Sequence, residues 1–262
     1  MTPAHASTES VPHSTTAGIA PGHATAETVP DLHDDGAARH DDGAARAVND
    51  RALPLLPSTI QQAENLIALG VPELLHLEAE QVRGLAADAL SEAAAGPPLL
   101  VLPGAPVADL AALMRRGTKP GFVVQDMTDV DEFTPTGIEV PETPYLLTDP
   151  DRGDHLRNAS PAEALERFTA EARTPLTLTE GIFWVLAQPE ALEPNYCFMT
   201  IASRLRKPRG RLDARTPALW ISGGTGRDGA GRKNAPKVGW CWWRNRHTWL
   251  GIASAASRVA LR

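Results

Sequence analysis

Between residues 59 and 90 the apolar positions recur every three or four residues. Ser58 and Thr59 open one such segment that ends at Gly70, and Pro72 opens another carrying Leu74, Leu75, Leu77, Val82, Leu85, Ala86 and Leu90. That interval turns one stripe of each segment inward, so the pattern predicts two helices folded as a hairpin. After Gly96-Pro97-Pro98 the run 99–102 predicts a strand, 106–116 a helix with Leu110, Leu113 and Met114 inward, and 122–124 a second strand. Residues 125–158, rich in Pro, Gly and acids, predict ordered loop around the one apolar run Tyr145-Leu146-Leu147.

Two helix starts are spelled out further on. Ser160-Pro161-Ala162-Glu163 and Thr177-Leu178-Thr179-Glu180 each place an N-cap hydroxyl three residues before a Glu, which satisfies the free amides of a first turn. From residue 197 the period shortens. The runs 197–202, 218–222, 238–243 and 248–253 are short, aromatic and β-branched, and predict an antiparallel sheet. Helices first and strands later give an α+β fold class, with residues 51–262 as a single domain.

Residues 1–50 stand apart because they contain no Phe, Trp or Tyr, and they repeat His33-Asp34-Asp35-Gly36-Ala37-Ala38-Arg39 as 40–46. Such a segment cannot bury enough apolar surface to offset chain entropy, so a disordered acidic tail is expected. Charge divides the remainder. Residues 51–202 hold 22 acids and 9 bases, whereas 203–262 hold 14 bases, two acids and five of the six Trp. This split means either a basic, aromatic binding surface or an acidic half folded against a basic half. No run of 18 apolar residues and no leader-type N-terminus are present, which leads us to expect no membrane partner and a cytoplasmic location with both Cys197 and Cys241 reduced.

The segment 238–250 reads as a Trp-rich hairpin turning at Asn245 and Arg246. Pairing 243 with 248 would set Trp240, Trp242, Arg244, His247 and Trp249 on one face, and Cys241, Trp243, Thr248 and Leu250 on the other. Stacked aromatics beside Arg suit weak binding of single-stranded nucleic acid or a planar ligand. The same Trp residues would also serve as core.

These residues, with Pro144-Tyr145-Leu146-Leu147, Thr174-Pro175-Leu176-Thr177, Glu180-Gly181, Pro217-Ala218-Leu219-Trp220-Ile221-Ser222 and His247-Thr248-Trp249-Leu250-Gly251, carry a resemblance. Over roughly residues 55–258 the chain resembles an uncharacterised actinobacterial family, a domain of unknown function. The resemblance implies no activity, and the basic segments 206–211 and 225–233 look longer than its pattern.

Candidate chemistry is sparse. Gly224-Thr225-Gly226-Arg227-Asp228-Gly229 spells a dinucleotide fingerprint, but a strand rather than a helix is expected after it. Asp126, Asp129, Asp131 and Glu132, and Asp149, Asp151 and Asp154, could hold a hard cation, yet their spacing is not that of an EF-hand. We therefore expect no metal and no cofactor. The function is unknown on this reading, and a binding or accessory protein using the Trp and Arg face fits best. Its alternative is a small-molecule enzyme built on His247 with Asp149, Asp151 and Arg152.

Overall fold

Ser58 accepts the Gln61 amide and starts α1, Thr59–Ala68. The computed structural model describes residues 53–89 and 96–261, so the tail expected over 1–50 lies outside the described residues. The second expected helix is in fact two. α2, Val71–Leu75, stops where His76 turns left-handed (φ 55°), and α3, Ala79–Asp88, begins afresh where the Gln81 side chain accepts the Glu78 N–H at 2.7 Å. Apolar periodicity ran through the break because α2 and α3 both bury their stripes, but the local cap ends one helix and starts the next.

β1 (Leu99–Val101), α4 (Val107–Leu113), β2 (Arg115–Arg116), β3 (Lys119–Pro120) and β4 (Phe122–Val123) follow in order. The stretch expected to be loop contains β5 (Phe133–Pro135) and β6 (Tyr145–Thr148), which find partners far along the chain. Both capping boxes form where expected, at the starts of α5 (Pro161–Ala170) and, after β7 (Thr174–Pro175), of α6 (Leu178–Ala187). The last third holds β8 (Cys197–Met199), β9 (Ser203–Leu205), β10 (Arg215–Ile221), β11 (Pro236–Trp242), β12 (Leu250–Ile252), β13 (Ser254–Ala255) and β14 (Ser257–Ala260). The fold class is α+β.

The main sheet has the order β12-β8-β10-β11-β4. Its centre is antiparallel, as expected, but both edge strands, β4 and β12, run parallel to their neighbours. A smaller antiparallel sheet, β1-β6-β14, carries the C-terminal strand back to the early half. Between them lies α6, whose apolar sequence surrounds the whole helix and is buried on all sides except Thr179. Gly181 permits that burial. A Cβ there would press into Thr200, Leu219 and Phe198, so the glycine lets α6 settle directly on β8 and β10.

The parallel edge overturns the Trp-rich hairpin. Both hydrogen-bonding edges of β11 are occupied, by β10 and β4, while Leu250 pairs with Cys197 at the far side of the sheet. β12 is parallel to β8, and therefore to β11, so residues 243–249 must travel back along the sheet before β12 can begin. They are a short crossover, not a turn.

Candidate functional site

The crossover separates the five residues expected on one face. Along β11, Trp240 and Trp242 project with Val238 to the side on which Leu219 meets α6, opposite Pro217 and Arg215 of β10. Trp249 instead packs edge-on against Trp220, with ring centroids 6.1 Å apart, and His247 packs against Trp249 at 5.8 Å. Trp220 pairs with Lys237 and so lies on the opposite face. It lies flat across the sheet because Gly239 offers no Cβ to collide with its ring. His247 and Trp249 thus lie at the other end and on the other side of the sheet from Trp242.

What replaces that face is an aromatic and cationic end of the sheet, where β10 starts and β11 finishes. Trp242 is 37% exposed and meets Trp240 edge-on at 4.7 Å. Arg215 sits over the rings of Phe133 at 5.3 Å and Trp240 at 5.9 Å. Behind them the buried Arg204 guanidinium lies 3.9 Å over Trp243 and donates to the Asp213 carbonyl at 2.6 Å. Burial lowers the Arg204 pKa, with the Asp213 charge opposing.

The segment 206–212 forms a hairpin tip above this end. Arg206 bridges to Leu212, and the Lys207 and Gly210 amides close the turn on Arg211 and Lys207 carbonyls. Pro208 and Gly210 suit such a tip, and Arg206, Lys207, Arg209, Arg211 and the partly apolar Leu212 are all exposed on it. Two carboxylates answer this charge. Asp213 takes Lys207 at 3.2 Å and Arg215 at 3.3 Å, and Asp129 takes Arg215 at 2.6 Å. Burial works against the Asp213 charge, but the Arg215 and Lys207 bonds outweigh it and hold its pKa below the ordinary carboxylate range. Bonding to Asp129 raises the Arg215 pKa despite its desolvation. Arg206, Arg209, Arg211 and Arg244 form no ion pair among the described residues.

The expected acid-base group does not assemble. Arg173 binds Asp149 at 2.7 Å, the Gly153 amide binds Asp151 at 2.7 Å, and the buried Arg152 binds Asp154 at 2.6 Å while facing the Tyr196 ring at 5.0 Å. No hydrogen bond or ion pair joins His247 to any of them among the described residues. Burial lowers the His247 pKa, and its Nε2 is buried without a partner, as are Arg204 Nε and Thr216 Oγ1. The acidic loop goes to structural partners as well: Asp126 to Arg227 at 3.2 Å, Asp129 to Arg215, and Asp131 to the Ala108 amide at the start of α4. After Gly224 the chain makes two 3-10 turns and then enters β11, so the dinucleotide fingerprint lacks its helix.

Arg204, Arg215 and Trp243 were missed as site residues because their place depends on register. Nothing short of the Arg215 to Trp242 pairing tells that these cations sit beneath the aromatic pair. The basic run 206–211, by contrast, stands out in the sequence.

A family model spans residues 65–261, most of the chain. The chain belongs to the family of unknown function DUF5701. This agrees with the resemblance carried by the Trp220 and Trp249 motifs, and it brings no activity with it. No curated protein and no solved structure matches the chain. No helix among the described residues is long and apolar enough to cross a membrane.

Proposed function

We propose that this protein is a binding or accessory protein whose working surface is the Trp242 end of the main sheet, and that it takes single-stranded nucleic acid weakly. One observation carries the reading: an exposed Trp242, braced edge-on by Trp240, stands beside a hairpin whose Arg206, Arg209 and Arg211 have no carboxylate partner among the described residues. A braced ring offers a stacking platform of about 1 to 3 kcal/mol per base, and guanidinium groups suit phosphate oxygens. We place this activity in the cytoplasm. Support for that comes from Cys197 and Cys241, both free and buried, on strands kept apart by β10. Burial pushes each thiol up to about 12, away from thiolate chemistry.

The test is anisotropy of a labelled oligothymidylate across a salt series. Replacing Arg206, Lys207, Arg209 and Arg211 by Ala should flatten the slope of log K against log salt by roughly 3, if each cation meets one phosphate. Trp242→Ala should weaken binding at every salt concentration. An absence of binding at low salt, or a slope untouched by the fourfold change, overturns the reading.

A further inference from the structure

At the opposite end of the β10 and β11 pair, Ser222, Asp228 and Lys237 close a triangle. Asp228 Oδ2 accepts from Ser222 Oγ at 2.6 Å and from Lys237 Nζ at 2.7 Å. Ser222, the first residue after β10, and Lys237, in β11, are both buried. Asp228 belongs to the connecting loop, whose two 3-10 turns bury no residue. The Lys237 ammonium also lies 4.7 Å over the half-buried Trp220 ring.

We propose that this triangle is an oxyanion site held shut by its own loop, with the Asp228 carboxylate standing where a phosphoryl group binds once the loop lifts. A buried ion pair contributes little stability over apolar side chains of the same size, so burying an ammonium at this end of the sheet calls for another reason. The ammonium and hydroxyl are what a phosphoryl oxygen needs, and the low dielectric around them strengthens both bonds. Sheet and loop supply opposite halves of the triangle, so they can separate. Among the loop's other contacts, Arg227 to Asp126 and Lys119 Nζ to the Gly231 carbonyl are exposed and weakened by water and salt, and Arg232 lies 4.4 Å over the Phe122 ring. Gly224, Gly226 and Gly229 hold positive φ and let the backbone bend there. Lifting withdraws Asp228, the only acid in the sequence between Asp213 and the C-terminus, from the Lys237 ammonium and the Ser222 hydroxyl. This proposal shares no residue with the Trp242 surface and survives or fails apart from it.

Calorimetric titration of the full-length Asp228→Asn variant with inorganic phosphate, and separately with a nucleoside monophosphate, tests the latch. Removing the internal carboxylate should tighten phosphate binding about tenfold over wild type, if the wild-type site is open a tenth of the time or less. Adding Lys237→Met should abolish the gain. Tighter binding of the nucleotide than of phosphate assigns the source to a ring-bearing phosphate that stacks on Trp220, and equal binding assigns it to the free ion. In wild type, phosphate should speed tryptic cleavage after Arg227, Arg232 and Lys233 relative to chloride at equal ionic strength. A folded Asp228→Asn protein that binds neither ligand more tightly than wild type overturns the site. Should that variant not fold, a wild-type cleavage rate indifferent to phosphate overturns it instead.

Discussion

Two clusters of C-terminal cations differ in what answers them. Arg258 on β14 meets Glu180 at the buried start of α6 at 2.6 Å, and its other nitrogens reach Thr174 Oγ1 at 2.6 Å and the Pro175 carbonyl at 2.9 Å. Tyr145 donates to the same carboxylate at 2.8 Å, and burial first, then the Glu180 charge, push its phenol well above the ordinary range. Every donor there has a fixed partner. At the Trp242 end, Arg206, Arg209 and Arg211 face water, with Asp213 and Asp129 already taken by Lys207 and Arg215. One cluster is therefore tied into the structure, and the other is left facing solvent. The divided charge is paired internally in part and exposed in part. Arg215, Arg227, Arg246 and Arg258 pair with acids of the earlier half, to Asp129, Asp126, Glu163 and Glu180, while among the described residues the 206–211 tip does not.

The largest effect should come from breaking the closed cluster. Arg258→Met leaves a fully buried Glu180 carboxylate without its cation, which should cost about 3 to 5 kcal/mol in urea unfolding. Adding Glu180→Gln should recover part of that loss, since a neutral amide needs no buried cation, its oxygen still accepts from the Thr177 amide, and its NH2 can donate to the Tyr145 hydroxyl. A single Arg258→Met change within about 0.5 kcal/mol of wild type would show that the cluster is no more structural than the open one.

Neighbouring tryptophans sharpen the contrast within the open end. Trp243→Ala removes the ring beneath a buried Arg204 and should cost about 2 kcal/mol. Trp242→Ala, on the exposed ring, should stay near 0.5 kcal/mol by the same urea measurement. The reverse order would make Trp242 a core residue and remove it from the binding surface.

The smallest effect belongs to His247, which is neither paired nor free. Its folded pKa is lowered by burial, so the unfolded chain takes up a proton first as the pH drops. Stability from this group is present above the ordinary value near 6.5 and is lost as pH falls toward the folded pKa. Wild type should lose more stability than His247→Asn between neutral and mildly acidic pH. Parallel curves in thermal melts would place the imidazole in water.

Residues that act within a few positions were readable before any fold was known. Ser160 with Glu163, and Thr177 with Glu180, fixed the starts of α5 and α6 because a capping box satisfies amides of its own first turn. The α+β class followed in the same way from the change of period near residue 197, whereas whether the basic run 206–211 faced solvent or the acidic half was left open by its charge alone. The partners of Trp242 and Trp249 were a different matter. Their alternation suggested a hairpin, but β11 already had a neighbour on each edge, and only the sheet order β12-β8-β10-β11-β4 sent residues 243–249 across to the far strand. Likewise Asp129 found Arg215, 86 positions away, and Tyr145 found Glu180 and Arg258, pairings that no local pattern encodes. Strand edges and buried charges are satisfied by whatever the whole chain brings within about 3 Å, and that distance is set by packing rather than by spacing along the sequence.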